Sequence, residues 1–128
     1  MRATPRISVV MPARNAARTI GEAMRSVLAQ SCADLELIVC DDASTDDTRR
    51  VAASVADDRV RILEQARNAG PGAARDRAIE AARGEWIAVI DADDAWAPDR
   101  LQRLLDAAGA DGRRMVFDDI LVCHDAPS

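Results

Sequence analysis

The sequence contains no lysine and no tyrosine, and it has one histidine and one phenylalanine among 128 residues. All 17 basic residues are arginine, so every mechanism that needs a lysine is excluded. The single histidine, His124, stands near the end of the chain, where an exposed tail residue is a better interpretation than a general base. With so few aromatic residues, a hydrophobic core must be built from alanine, valine, isoleucine and leucine.

The three cysteines, Cys32, Cys40 and Cys123, lack the CxxC spacing of a zinc or redox site. We expect them to be small core residues in a reducing compartment. No stretch approaches the roughly 20 apolar residues that span a bilayer, and no signal peptide is recognisable. A net charge of −5 argues against a nucleic-acid partner. The composition thus predicts one soluble domain, located in the cytoplasm or at the inner face of the membrane.

Apolar runs with period two alternate along the chain with runs of helical period. The predicted strands cover 7–11, 35–40, 60–63, 86–90 and 115–122, and the predicted helices cover 18–30, 44–55, 73–82 and a segment from Pro98. Ser44 or Thr45 is expected to cap the second helix. Alternating strands and helices imply an α/β, Rossmann-like fold, with a mostly parallel sheet, right-handed crossovers and helices on both faces.

Three of these strands end in polar residues at one edge of the sheet, where open α/β sheets bind ligands. The most acidic end carries Asp91 and Asp93, whose spacing suits a divalent cation with oxygen ligands. The alternative is a polar turn that caps the next helix. A calcium loop of the EF-hand type is excluded, because Trp96 and Gln102 replace the glycine and glutamate that it needs.

The pair Asp41 and Asp42 follows the second strand directly and can accept hydrogen bonds from a base or a ribose. Alternatively, Asp42 binds backbone amides of the turn and only Asp41 faces a ligand, or neither does. Arg75 follows a glycine-containing loop near a helix start, so it can contact a diphosphate in bidentate fashion. The alternative is an exposed helix face on which Arg75 pairs with Asp76 or Glu80.

Four ordered motifs between residues 5 and 105 resemble the opening of the inverting family 2 glycosyltransferases of the GT-A fold. The matching residues are Pro12 and Asn15, Leu28 to Gln30, the acidic run from Asp41 to Thr48, Asn68, Gly70, Ala74, Arg75 and Asp76, and Gly84, Glu85, Asp91, Asp93 and Asp94. The resemblance implies that residues 1–128 are the nucleotide-sugar-binding half of such an enzyme, an incomplete GT-A fold whose acceptor half is absent.

The same resemblance implies a nucleotide-sugar donor, most suitably a UDP-sugar, an unknown acceptor, and Mn²⁺ or Mg²⁺ as cofactor. Carried over to this chain, Asp41 contacts the base, Arg75 lies near the base or diphosphate, Asp91 faces the ribose or sugar, and Asp93 binds the metal. The implied binding site consists of Pro12, Ala13, Arg14, Asn15, Asp41, Arg75, Asp91, Ala92 and Asp93, with Asp91 and Asp93 as metal ligands.

The chain departs from the family pattern at Arg14, where a tyrosine is common, and at Asp76, where an asparagine is common. No catalytic base is identified, because Asp118 and Asp119 follow the acidic loop too closely, and we expect little or no transfer by this chain alone. A non-catalytic nucleotide-binding module is the alternative. A receiver-type signalling domain is disfavoured, since it needs a lysine, and so is a sugar-nucleotide pyrophosphorylase, which needs a basic glycine-rich loop.

Overall fold

The computed structural model describes residues 4–111, 115–116 and 121–123, with side chains for residues 4–107. Strands and helices alternate through most of this part of the chain. They are β1 Ile7–Ala13, α1 Ile20–Leu28, β2 Leu35–Asp41, α2 Thr48–Ser54, β3 Val60–Glu64, α3 Pro71–Ala81, β4 Trp86–Val89, α4 Arg100–Asp111, β5 Met115–Val116 and β6 Leu121–Cys123. Phe117, Asp118, Asp119, Ile120 and His124, which figured in the sequence predictions, lie outside the described residues.

The strands form one sheet in the order β3-β2-β1-β4-β6-β5. The first four strands are parallel, with β1 between β2 and β4. This arrangement confirms the predicted mostly parallel sheet, and it brings the carboxyl ends of β1, β2 and β4 side by side.

The prediction of a single fifth strand over 115–122 is wrong. Two short strands occupy this region, and β6 pairs antiparallel with both β4 and β5. An apolar run indicates strand propensity, but the direction of a strand is decided by the neighbour with which it pairs.

The first strand continues past its predicted end at Met11, through Pro12 to Ala13. The ladder between β1 and β4 stops at the pair Val10 and Val89, whereas the ladder with β2 goes on. Pro12 therefore has a strand on one side only, which is the position in a sheet where proline is tolerated.

Helices cover both faces of the sheet, as predicted. Along β1, Val9 and Met11 belong to a core with residues of α1, α2 and α4, whereas Val10 belongs to a core with α3. This alternation follows from the period of two along a strand. Ala74 and Ala78 of α3 are fully buried and allow the helix to lie close to the sheet.

The described residues also bear on the expectations from composition. Cys32 and Cys40 are buried and free, as predicted from their spacing. In this part of the chain no helix combines the length and the apolar character that crossing a membrane requires.

Candidate functional site

A cavity of about 530 Å³ opens where the carboxyl ends of β1, β2 and β4 meet the start of α3. The loops that follow these strands form its walls. It is lined by Pro12, Ala13, Arg14, Asn15, Ala16, Thr19, Asp42, Asn68, Gly70, Pro71, Ala74, Asp91, Ala92 and Asp93. The polar ends of three strands thus meet at one edge, as the sequence predicts.

The loop after β1 is fastened to the loop after β2 through Asn15. Its backbone N–H donates to Ser44 Oγ at 2.9 Å, and its Oδ1 accepts from the backbone N–H of Thr45 at 2.8 Å. Asn15 has a φ of 50°, a left-handed conformation that asparagine adopts more readily than most residues. Asn15 therefore connects the two loops. Its neighbour Arg14 is exposed and lines the cavity.

Asp41 is buried, and its carboxylate is engaged within its own loop. Oδ1 accepts from Ser44 Oγ at 2.5 Å, Oδ2 accepts from the backbone N–H of Ser44 at 3.1 Å, and Arg49 Nε lies 3.5 Å away. Asp41 is not among the residues that line the cavity. Its contact with a base stays a prediction.

The expected cap of α2 by Ser44 or Thr45 is wrong. The N-cap position is Asp47, which makes no side-chain cap hydrogen bond. Instead Asp46 Oδ1 accepts from the backbone N–H of Thr48 at 2.9 Å, and the hydroxyl of Thr48 also donates to Asp46. The hydrogen bond from that hydroxyl is the main reason why the pKa of Asp46 lies below its ordinary value. Ser44 and Thr45 do not cap α2, because their hydroxyl groups donate to Asp41 and Asn15, respectively.

Asp42, in contrast, lines the cavity although it is only 2% exposed. Its two carboxylate oxygens accept from the backbone N–H groups of Ala69 at 2.8 Å and Gly70 at 2.9 Å. These bonds hold the loop that enters α3, in which Gly70 has a φ of 95°. A carboxylate has about four acceptor positions, so Asp42 can also accept from a ligand.

Pro71 occupies the first turn of α3, as expected, and borders the cavity together with Gly70 and Ala74. Arg75 follows Ala74 in α3 but does not line the cavity. It is exposed, and its Nε lies 3.9 Å from Asp76 Oδ1. The geometry fits the alternative of a solvated helix face, and a contact between Arg75 and a diphosphate stays a prediction.

The acidic loop, residues 91–95, follows β4 and places three carboxylates together. One oxygen each of Asp91, Asp93 and Asp94 lies within 4.8 Å of the others, and all three residues are exposed. A hard divalent cation takes such oxygen ligands, and an open site leaves positions for water and phosphate. The donor set therefore fits Mn²⁺ or Mg²⁺ and adds Asp94 as a third candidate ligand.

Of the predicted site residues, all except Asp41 and Arg75 line the cavity. The predicted site omits seven residues that line the cavity, namely Ala16, Thr19, Asp42, Asn68, Gly70, Pro71 and Ala74. Of these, Asp42 was considered only as one member of the pair with Asp41. Asp42, Asn68, Gly70 and Ala74 belong to the quoted motifs, which could have identified them. Ala16 and Thr19 carry no such signal, because the fold alone brings them to the cavity.

The chain has a mostly parallel α/β sheet with a polar cavity at the carboxyl ends of its parallel strands. This arrangement is typical of the α/β proteins that bind ligands at that position. Within that class the chain belongs to glycosyl transferase family 2, whose family model matches residues 8–127.

Proteins of similar sequence support the assignment of the chain to this family. The chain is 45% identical over 116 residues to the succinoglycan biosynthesis protein ExoO of Rhizobium meliloti (strain 1021), a match that covers 91% of this chain and 33% of the relative. It is 40% identical over 96 residues to the UDP-Glc:alpha-D-GlcNAc-diphosphoundecaprenol beta-1,3-glucosyltransferase WfgD of Escherichia coli, covering 75% and 38%. The chain spans about a third of the length of these relatives.

Solved structures confirm the predicted fold. The chain matches S. aureus TarS 1-349 in complex with UDP-GlcNAc with a TM-score of 0.80 and 23% identity, covering 96% of this chain and 37% of that one. It also matches the mannosyltransferase PcManGT from Pyrobaculum calidifontis in complex with GDP-Man and Mn²⁺. That match has a TM-score of 0.73 and 32% identity and covers 82% and 32% of the two chains. Membership of the predicted family, glycosyl transferase family 2, is confirmed as well.

Proposed function

We propose that the cavity binds a nucleoside-diphosphate sugar, most suitably a UDP-sugar, together with Mn²⁺ or Mg²⁺, as the donor for an inverting glycosyl transfer. The observation that carries the proposal is that one cavity is lined by Asp42 after β2 and by Asp91 and Asp93 after β4. Since β1 separates these strands, their ends lie two strand spacings apart, roughly 10 Å. An extended ligand with different chemistry at its two ends suits this arrangement.

We assign the base to the end of the cavity at Asp42. An ionised carboxylate only accepts hydrogen bonds, so it favours a base with a ring N–H, such as uracil. Arg14 is exposed at the cavity, and its planar guanidinium can stack on a base at the position where the family pattern commonly has a tyrosine. This assignment replaces Asp41 with Asp42 as the base-facing carboxylate, because only Asp42 lines the cavity.

We assign the diphosphate to the end at the acidic loop. Carboxylates and phosphates repel one another, so Asp91 and Asp93 suit a diphosphate only with a cation between them. Asp91 and Asp93 would hold such a cation, and its positive charge would stabilise a departing nucleoside diphosphate. The residues of the chain hold the cation and orient the donor.

The acceptor is proposed in class only. The names of the relatives concern polysaccharide synthesis and a lipid-diphosphate-linked sugar, so a saccharide hydroxyl is the acceptor that we propose. We assign no general base for the deprotonation of that hydroxyl to any described residue. Donor binding is therefore the part of the function that can be tested on this chain.

Calorimetric titration with UDP, in the presence and absence of Mn²⁺, tests the proposal. We expect Mn²⁺ to tighten UDP binding by about tenfold or more and the Asp93→Asn variant to lose most of this gain. Asp106→Asn is the matched control, because Asp106 is an exposed carboxylate that accepts from Gln102 on α4, outside the cavity.

Binding of UDP that is indifferent to both Mn²⁺ and the Asp93→Asn change would remove the metal from the proposal. If neither UDP nor a UDP-sugar binds under any condition, the proposed donor site is wrong, and only membership of the family remains.

A further inference from the structure

Gln30 is a buried residue just beyond the end of α1. Its side-chain amide forms hydrogen bonds with a segment that is far away in sequence, near residues 97–101. Gln30 is 4% exposed. Its Nε2 donates to the carbonyl of Ala97 at 2.7 Å and to that of Ser26 at 3.1 Å, and its Oε1 accepts from the backbone N–H of Leu101 at 3.0 Å. Two carbonyls at one end and an N–H at the other define the orientation of the amide.

Two serines near Gln30 bind the same segment. Ser26 Oγ accepts from the backbone N–H of Trp96 at 3.1 Å while it donates to the carbonyl of Ala23. The backbone N–H of Ser31 donates to the carbonyl of Pro98 at 2.7 Å. We call Ser26, Gln30 and Ser31 the α1 cradle. It holds residues 96–101, which lead from the acidic loop into the first turn of α4.

The acidic loop is consequently held at both ends. At its start, the backbone N–H of Ile90 donates to the carbonyl of Val10, in the central strand, at 3.1 Å. At its end, Trp96 is bound by the cradle only two residues after Asp94, a distance that the chain spans with at most about 7 Å. The position of residues 96–101 therefore limits where the carboxylates of the acidic loop can lie.

We propose that Gln30 is a positioning residue for the acidic loop: it fixes residues 97–101 and thereby holds Asp91 and Asp93 at the cavity, with Asp94 beside them. No other residue type of this size offers both an amide donor for Ala97 and an acceptor for Leu101. Leu101 lies in the first turn of α4, where backbone N–H groups lack partners within the helix, so Gln30 also caps that helix. The effect on a metal and a diphosphate rests on the proposed function, whereas the effect on the loop does not.

Hydrogen exchange followed by NMR tests the positional claim with the Gln30→Met variant, which keeps the size and removes the polar atoms. We expect the amide of Asp94, which donates to the carbonyl of Asp91 at 3.0 Å, and that of Leu101 to exchange about tenfold faster. Amides in the centre of β2 should keep their rates. Gln102→Met is the matched control, because Gln102 lies on α4 and donates to the exposed Asp106 instead of the loop.

Binding supplies a second readout on the same proteins. In Gln30→Met we expect UDP affinity without metal to be unchanged and the gain from Mn²⁺ to fall by about tenfold. Ser26→Ala removes one bond of the cradle and should shift both readouts in the same direction by a smaller factor. If Gln30→Met does not fold, Ser26→Ala tests whether these contacts position the acidic loop.

Several outcomes would overturn the proposal. They are unchanged exchange at Asp94, equal acceleration of all amides including those of β2, and faster exchange of the loop with an undiminished Mn²⁺ gain. If Mn²⁺ does not affect UDP binding to the unmodified chain, the proposed metal site fails, and exchange at Asp94 still decides whether Gln30 positions the loop.

Discussion

At the scale of single residues, Asp41 and Asp42 show how adjacent carboxylates take different roles. Asp41 is engaged by Ser44 and Arg49, whereas Asp42 holds Ala69 and Gly70 and faces the cavity. The sequence identifies the pair, because it follows a buried strand. It does not identify the ligand-facing member, since side chains alternate along a strand and a shift of one residue in the strand end exchanges them.

Gly84 is a residue whose small size is required by its surroundings. A Cβ at this position would lie 2.7 Å from the backbone nitrogen of Ser8 and 2.8 Å from the carbonyl carbon of Ile7. These are backbone atoms of the central strand, which cannot move aside cheaply. We expect Gly84→Ala to lower the free energy of unfolding by about 2–3 kcal/mol, measured by urea denaturation.

Gly72 provides the comparison for Gly84. A Cβ there would meet no atom within 4 Å, and the residue lies in the first turn of α3. Gly72→Ala should therefore be neutral or stabilising by up to about 1 kcal/mol, because alanine favours the helix. Equal stability of the two variants would mean that the backbone of β1 yields to the added methyl group.

At the scale of elements, Glu36 joins β2 to β1 and to the turn before β4. It is 3% exposed, yet it accepts from Ser8 Oγ at 2.5 Å, from the backbone N–H of Arg83 at 2.8 Å and from an Arg61 guanidinium nitrogen at 3.1 Å. Burial acts to raise the pKa of Glu36. The hydrogen bonds from Ser8 and Arg83 and the charge of Arg61 outweigh burial, so the pKa is lowered.

The lowered pKa of Glu36 predicts a dependence of stability on pH. A carboxyl whose pKa is lower in the folded state than its ordinary 4.5 stabilises the fold above that pH and loses this contribution as the pH falls through the folded pKa. We expect Glu36→Gln to lower the free energy of unfolding by about 2 kcal/mol at pH 7. The difference from the unmodified chain should shrink below about pH 4.5.

Urea denaturation of both proteins between pH 3 and pH 7 measures this difference. Glu64→Gln is a suitable control, because Glu64 is exposed and pairs with an exposed Arg49. A gap between Glu36→Gln and the unmodified chain that stays constant down to pH 3 would show that the charge of Glu36 does not contribute.

Elements differ in how far the sequence predicts them. Helix α1 was expected over 18–30 and covers Ile20–Leu28, because its apolar spacing is regular. The last two strands were predicted as one, since their separation and antiparallel pairing depend on contacts with β4 and with each other. The role of Glu36 was also hidden, because it lies within an apolar run and its partner Arg83 is 47 residues away.

At the scale of the whole molecule, the fold followed from the alternation of strands and helices, and the family followed from four motifs. The sequence did not predict all of the residues that line the cavity. Its walls include Ala16 and Thr19, which belong to no motif, and the α1 cradle shapes the acidic loop from outside the cavity. Such contributions depend on tertiary contacts between segments that are far apart in sequence, which periodicity cannot reveal.

A ligand in this cavity would connect loops from three strands and the start of α3, so its binding should be visible in the stability of the whole domain. At UDP concentrations near 100 times its dissociation constant, binding to the folded state alone contributes about 2.7 kcal/mol. For a chain of 128 residues we expect the thermal midpoint to rise by roughly 10 °C with UDP and Mn²⁺. CDP at the same concentration should raise it less, because the ring nitrogen of cytosine that would face Asp42 carries no hydrogen. Equal shifts from UDP and CDP in a thermal melt would show that Asp42 does not read a ring N–H, and the base would then have to be assigned to another part of the cavity.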